Sequence, residues 1–176
     1  MFWAGDWVTL VTAAAPLLAV AVAWALPSPG DPAPDAQARN TDDDVLSVSS
    51  LRGRVALIFY EDRDSTDVNK PLKDALARQL AAGERRTDAV VHAVADVSAF
   101  NIWPLRKVVN EAVRHKERGT GWRVYLDWDG TFRRAFGFKS GDSNVLLLDA
   151  EQRVVLAHAG AVTPEVAQRI MAALGR

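Results

Sequence analysis

Two apolar runs constrain the fold more than anything else in the chain. Arg54–Tyr60 (RVALIFY) and Ala89–Ala95 (AVVHAVA) are near-continuous and rich in β-branched residues, the pattern of strands buried on both faces. Between them Leu72, Leu76 and Leu80 recur every four residues, and the stripe stops at Gly83, so one amphipathic helix links two parallel strands. A second helical stripe, Leu105, Val108, Val109, Ala112 and Val113, is entered at Pro104 and closed by Gly119 and Gly121. Trp122–Asp127 reads as a third strand and is followed by a short helical connection. Val145–Asp149 and Val154–Ala159, separated by a polar turn, form a hairpin. The last helix has Thr163 as N-cap, Pro164 at its first position, and Val166, Ile170, Met171 and Leu174 on one face. The order predicts an α/β fold with a mixed central sheet between helical layers.

A chain of 176 residues has room for one such domain. It contains no cysteine, so dithiol exchange, disulfides and thiolate metal sites are all excluded. His92, His115 and His158 lie in separate segments without metal-ligand spacing, and the reading assigns the chain neither a metal nor a cofactor. All 21 basic residues lie at or after Arg39, and the net charge is −1. The basic pairs Arg85-Arg86, Arg106-Lys107 and Arg133-Arg134 carry no aromatic interleaving, which points away from nucleic acid. Glycine-rich phosphate loops and the GxSxG nucleophile motif are also missing.

Residues 1–26 read as a membrane anchor or an uncleaved signal. Val8–Leu26 has no charge over 19 residues, enough helix to cross about 30 Å of hydrocarbon, with Trp7 and Trp24 near its two ends. Residues 27–44 hold four prolines and five acids with few large apolar side chains, and predict a disordered tether ahead of a domain at 45–176. The expected address is the cell envelope, with the domain in the periplasm or, after cleavage, secreted to it.

Ser50-Leu51-Arg52-Gly53-Arg54 running into Val55–Tyr60 resembles the lead-in of exported thioredoxin-like proteins, and Val145–Asp149, Arg153–Val155, Gly160 and the closing helix resemble their C-terminal half. Within that superfamily the chain is similar to the YtfJ-like group of exported bacterial proteins, on Gly53–Val55 and the polar segment through Asn69, Asp127–Gly130, and Val145–Val154 with Gly160–Thr163. The resemblance implies a thioredoxin-like three-layer domain. It also implies that Asp64 and Asp67 stand where the redox cysteines would be, and Ser143 where the cis-proline would be. A non-catalytic binding or accessory module with a protein partner follows, and the contact surface it implies joins Asp62, Asp64 and Asp67 to Asp142, Ser143 and Asn144.

Two features compete with that reading. Acids opening a helix also cap its free N–H groups and favour its dipole. Asp62-x-Asp64-x-Thr66 and Asp127-Trp128-Asp129-Gly130-Thr131 both mimic the D-x-D-x-T nucleophile motif of haloacid-dehalogenase-type phosphatases, whose first Asp attacks phosphorus with Mg²⁺ assistance. Only 45 residues follow Thr131, too few to supply that fold's remaining units. Trp122 and Trp103 are both expected in the core, although the connection carrying Trp103 is also a candidate exposed patch.

Overall fold

The computed structural model describes residues 25–120 and 122–175. In chain order the strands are β1 (Gln37–Arg39), β2 (Val45–Ser47), β3 (Val55–Glu61), β4 (Ala89–Asp96), β5 (Val124–Asp127), β6 (Asn144–Leu148) and β7 (Val154–Ala159). The helices are α1 (Lys70–Ala81), α2 (Leu105–Thr120), α3 (Thr131–Phe136) and α4 (Pro164–Leu174). One sheet runs β2-β1-β5-β4-β3-β6-β7. Strand β4 is parallel to β3 and β5, and the remaining pairs are antiparallel. This is the expected mixed sheet, with both predicted apolar runs at its centre.

Every residue of β3 is buried, which explains its lack of alternation, because both faces of the sheet are covered. On one face Leu72 and Leu76 of α1 and Ile170 and Leu174 of α4 pack over Val55, Leu57, Phe59, Val145 and Leu147. On the other, Phe132 and Phe136 of α3 join Phe138, Tyr60, Ile58 and Leu146. Those rings are in contact: Phe136 and Phe138 stack at 5.2 Å and Tyr60 meets Phe138 at 4.9 Å. Helix α3 has six residues and ends at Gly137, whose φ of 62° a side chain would strain. A Cβ there would also lie 2.4 Å from the Ala25 carbonyl, so glycine permits that close approach.

The tether expected over residues 27–44 is instead folded onto the domain. Ala36 and Ala38 are buried with Leu46 and Val48, and β1 pairs with both β2 and β5. Three-residue strands are too short to show a period, and alanines contribute apolar surface that a composition count overlooks. Hydrogen bonds hold the segment's polar residues in place. Asn40 Oδ1 accepts from the amides of Asp42 and Asp44, and Asp35 Oδ1 accepts from the Ser49 amide. Farther upstream, Gly30 and Ala33 donate to the Val154 and Gln152 carbonyls and cover the start of edge strand β7.

Most of the expected anchor lies outside the described residues. No helix among the described residues is long and apolar enough to cross a membrane. Leu26 packs against the aromatic core, so that end of the apolar run belongs to the domain. Trp122 is half-buried with its ring 6.5 Å from Phe59, whereas Trp103 is 86% exposed and not in the core. Apolarity alone predicts burial for Trp103, but its connection lies beyond the sheet, where no element among the described residues covers it.

His92 lies on β4 with its ring edge-on to Tyr125 at 5.7 Å. Burial, reinforced by the Arg54 charge, pulls its pKa down to about 4. The unfolded chain therefore binds the proton more readily than the folded one. The resulting stability is complete above the ordinary histidine value and is lost as pH falls toward 4. Chemical denaturation at pH 7 and pH 4.5 is expected to show a loss of up to about 3 kcal/mol that His92→Phe largely removes. An unchanged pH slope in the variant would assign the loss to other groups.

Candidate functional site

The sheet delivers Glu61, Asp96 and Asp127 to the carboxyl ends of its three parallel strands, the end where α/β sheets gather ligands. The loop after β3 and the loop before β6 meet there. Asp62 Oδ1 accepts from the Asp64 amide, the Ser65 amide and the Ser65 hydroxyl. Its Oδ2 accepts from the Gly141 amide at 2.9 Å, so a single carboxylate joins the two loops. Burial works to raise the Asp62 pKa, but the hydrogen bonds from Ser65, Gly141 and Asp64 outweigh it and hold the group below its ordinary range.

Beneath that contact lies a buried polar network. Ser143 Oγ donates to Glu61 Oε1 at 2.5 Å and accepts from Asn69 Nδ2 at 2.9 Å. Asn69 also donates to the Gly160 carbonyl and accepts from the Val162 amide, which ties the start of α1 to the turn before α4. Lys73, one helical turn on from Asn69, pairs with Glu61 Oε2 at 2.5 Å and donates to the Thr66 carbonyl. Glu61, Asn69 and Ser143 are each at most 6% exposed, so their polar atoms depend on one another for satisfaction.

The predicted site residues therefore come together, with divided roles. Asp64 and Asp67 are exposed, and their carboxylates make no hydrogen bond or ion pair among the described residues. Asp62 and Asp142 are half-buried. Ser143 and Asn144 are fully buried and occupied within the junction. Asn144 accepts from the Lys139 amide and donates to the Lys139 and Asp142 carbonyls, fixing the loop rather than facing solvent. Sequence reasoning missed Asn69 and Lys73, and with them the role of Glu61; the available signal was their one-turn spacing at the start of α1, facing the end of β3.

Next to Asp62 and Asp64 opens a cleft of about 260 Å³, which Arg63, Asp96, Phe100 and Arg133 also line. Asp96 is held by the Ser98 amide and hydroxyl and pairs with Arg133 at 3.2 Å. Arg63 is exposed and makes no ion pair among the described residues. The cleft thus presents a carboxylate pair and an available guanidinium at its mouth. Among the described residues no group of three or more potential ligands converges in the manner of a metal site.

The second D-x-D-x-T stretch is a helix start. Asp127 is 1% exposed. Its Oδ1 accepts from the Thr131 amide and hydroxyl, and its Oδ2 from Tyr60 Oη and the Phe132 and Arg133 amides. A carboxylate so enclosed satisfies the free amides of the first turn of α3 and has no open path to an attacking position. In the first copy, Asp62 is likewise engaged by its own turn and by Gly141.

No family model matches the sequence, and no curated relative is significantly similar to it. Solved structures do resemble it. A protein assigned as the thiol:disulfide interchange protein DsbE from Chlorobium tepidum superposes with a TM-score of 0.63 at 21% identity, covering 84% of this chain and 99% of that one. StoA from Bacillus subtilis gives 0.57 at 14% identity, covering 82% and 98%. The exposed lipoprotein thioredoxin Etrx1 from Streptococcus pneumoniae gives 0.54 at 16% identity, covering 80% and 99%. The fold is thioredoxin-like, and this chain carries it without a cysteine.

Asp127→Ala deprives five donors of their acceptor, and urea denaturation is expected to show a loss of about 3 kcal/mol or more. Asp64→Ala, at an exposed position, is expected to stay within about 0.5 kcal/mol of the parent. Equal effects at the two positions would contradict this division between a structural and an accessible carboxylate.

Proposed function

We propose that the protein is a membrane-tethered, non-redox thioredoxin-fold module that binds a protein partner outside the cytoplasm. The observation that supports this reading is the junction itself: the loop after β3 adjoins the loop before β6, and the first of them presents Asp64 and Asp67 to solvent, the positions at which the resemblance implies redox cysteines. A chain without cysteine has no thiol to exchange there, so the working face recognises rather than exchanges disulfides. Arg63 and the exposed carboxylates offer mixed charge to a polar partner segment, with Phe100 as an apolar floor.

Tethering rests on the uncharged run that precedes the domain, and the envelope address on that run and on the neighbours in fold. One neighbour in fold is itself described as an exposed lipoprotein. The lead-in, the Asp127–Gly130 turn and the β6–β7 segment are the features shared with the YtfJ-like group, and that group is the relationship we favour.

Photo-crosslinking in intact cells tests the reading. A photoreactive residue at Ser140, beside the cleft, is expected to give a discrete protein adduct that a probe at Glu151, on the opposite end of the sheet, does not give. Asp64→Ala with Asp67→Ala should weaken the Ser140 adduct several-fold while the urea midpoint stays unchanged. Identical adducts from both probes, or an adduct indifferent to the double substitution, would overturn the assignment of this face.

A further inference from the structure

The connection from β4 into α2 places four large apolar side chains in solvent within seven positions. Trp103 is 86% exposed, Val108 64%, Ile102 63% and Leu105 38%. Arg106 and Lys107 stand among them, and no acid occurs between Val97 and Asn110. Arg106 lies over the Trp128 ring at 4.8 Å, and Asn101 donates to Asp129 at 2.8 Å, which fixes the connection against the loop after β5. An exposed cluster of this kind calls for an occupant.

We infer that Ile102, Trp103, Leu105 and Val108, with Arg106 and Lys107, dock onto an anionic bilayer surface; this rests on the tethering reading above. Two observations select lipid. Charge is the first: Arg106 and Lys107 are the only ionic side chains between Val97 and Asn110, and anionic headgroups complement them. An indole ring and aliphatic side chains flanked by cations match the apolar–polar boundary of a membrane. The second is where the described chain begins. Val8–Trp24 is uncharged over 17 residues, about the minimum for a span, and Ala25 and Leu26 already contact Gly137 and the aromatic core. The domain therefore has no slack between itself and the expected span. Gly137 sits two residues before Lys139, which bonds to Asn144 at the end of the sheet that also carries the Trp103 connection. A bilayer entered by the residues before Ala25 thus lies on the side of the exposed cluster.

Because the chain contains no cysteine, single substitutions report cleanly. The full chain is placed in phosphatidylcholine vesicles with and without phosphatidylglycerol, labelled with an environment-sensitive fluorophore at Trp103→Cys, Val108→Cys or, as a control on α1, Leu80→Cys. Spin-labelled lipid is expected to quench the labels at 103 and 108 on the anionic vesicles and to spare the label at 80. The Val108→Cys protein retains Trp103, so it keeps the test valid if the indole is needed for docking. Arg106→Gln and Lys107→Gln are expected to lower the docked-to-undocked ratio roughly fivefold each. Quenching at 103 and 108 no greater than at 80 would overturn the inference while leaving tethering intact, as would labels shielded from water but beyond the reach of the lipid quencher. A chain that fails to float with either vesicle would overturn tethering and the inference with it.

Discussion

The Glu61 carboxylate organises the working end of this molecule. It stands at the last position of a fully buried central strand, where an unpaired charge would not be tolerated. One oxygen is answered by Lys73 and the other by the Ser143 hydroxyl. Those two contacts draw the start of α1 and the start of β6 to the same point, and Asn69 extends the link to the turn before α4. Removing one member of such a buried pair strands the other and typically costs about 3–5 kcal/mol. The loop geometry above it is a consequence of satisfying that charge. Asp62 then adds the outer clasp through Gly141, and the exposed carboxylates ride on a loop held at both ends.

A thioredoxin-like scaffold normally concentrates its chemistry in sulfur at this junction, as the resemblance read from the sequence implies. Here the same place is occupied by carboxylates and hydroxyls that fall into two populations. Glu61, Ser143, Asn144 and Asp127 are buried and fully bonded, whereas Asp64 and Asp67 are accessible and unengaged among the described residues. The buried set supplies rigidity. The accessible set, with Arg63 and the adjoining cleft, is the face that the proposed partner would meet. A rigid polar face with exposed charge suits recognition, because little ordering is lost on binding.

Much of this was legible in the sequence wherever a period had room to declare itself. The uninterrupted β3 run, the Leu72-Leu76 stripe and the Thr163-Pro164 start of α4 each reflect burial or capping that acts over several residues. Leu80, by contrast, continues the stripe in sequence but is 47% exposed. Strands β1 and β2 were not legible: three residues carry no period, and Asp35 and Asp44 read as disorder signals although Asp35 accepts from the Ser49 amide and the Asp44 amide closes a turn on Asn40. The two loops of the site were placed together by resemblance, but the network beneath them was hidden. Glu61 reads as one more acid of the loop, and its partnership with Lys73 and Ser143 exists only after the sheet brings residues 82 positions apart into contact. Trp103 shows the converse limit, since a side chain's apolarity does not reveal whether any element will cover it.

The most direct measurement is to restore the missing sulfurs and ask whether residues 64 and 67 occupy the geometry of a dithiol. With no other cysteine in the chain, Asp64→Cys combined with Asp67→Cys gives an unambiguous readout by mass and by alkylation. If the β3–α1 loop is a thioredoxin-type exchange loop that has lost its sulfur, the purified monomer closes a single intramolecular disulfide in air, dithiothreitol reopens it, and the urea midpoint stays near the parent's. Two thiols that remain free under oxidation in a folded monomer, or that pair only between molecules, would contradict that placement.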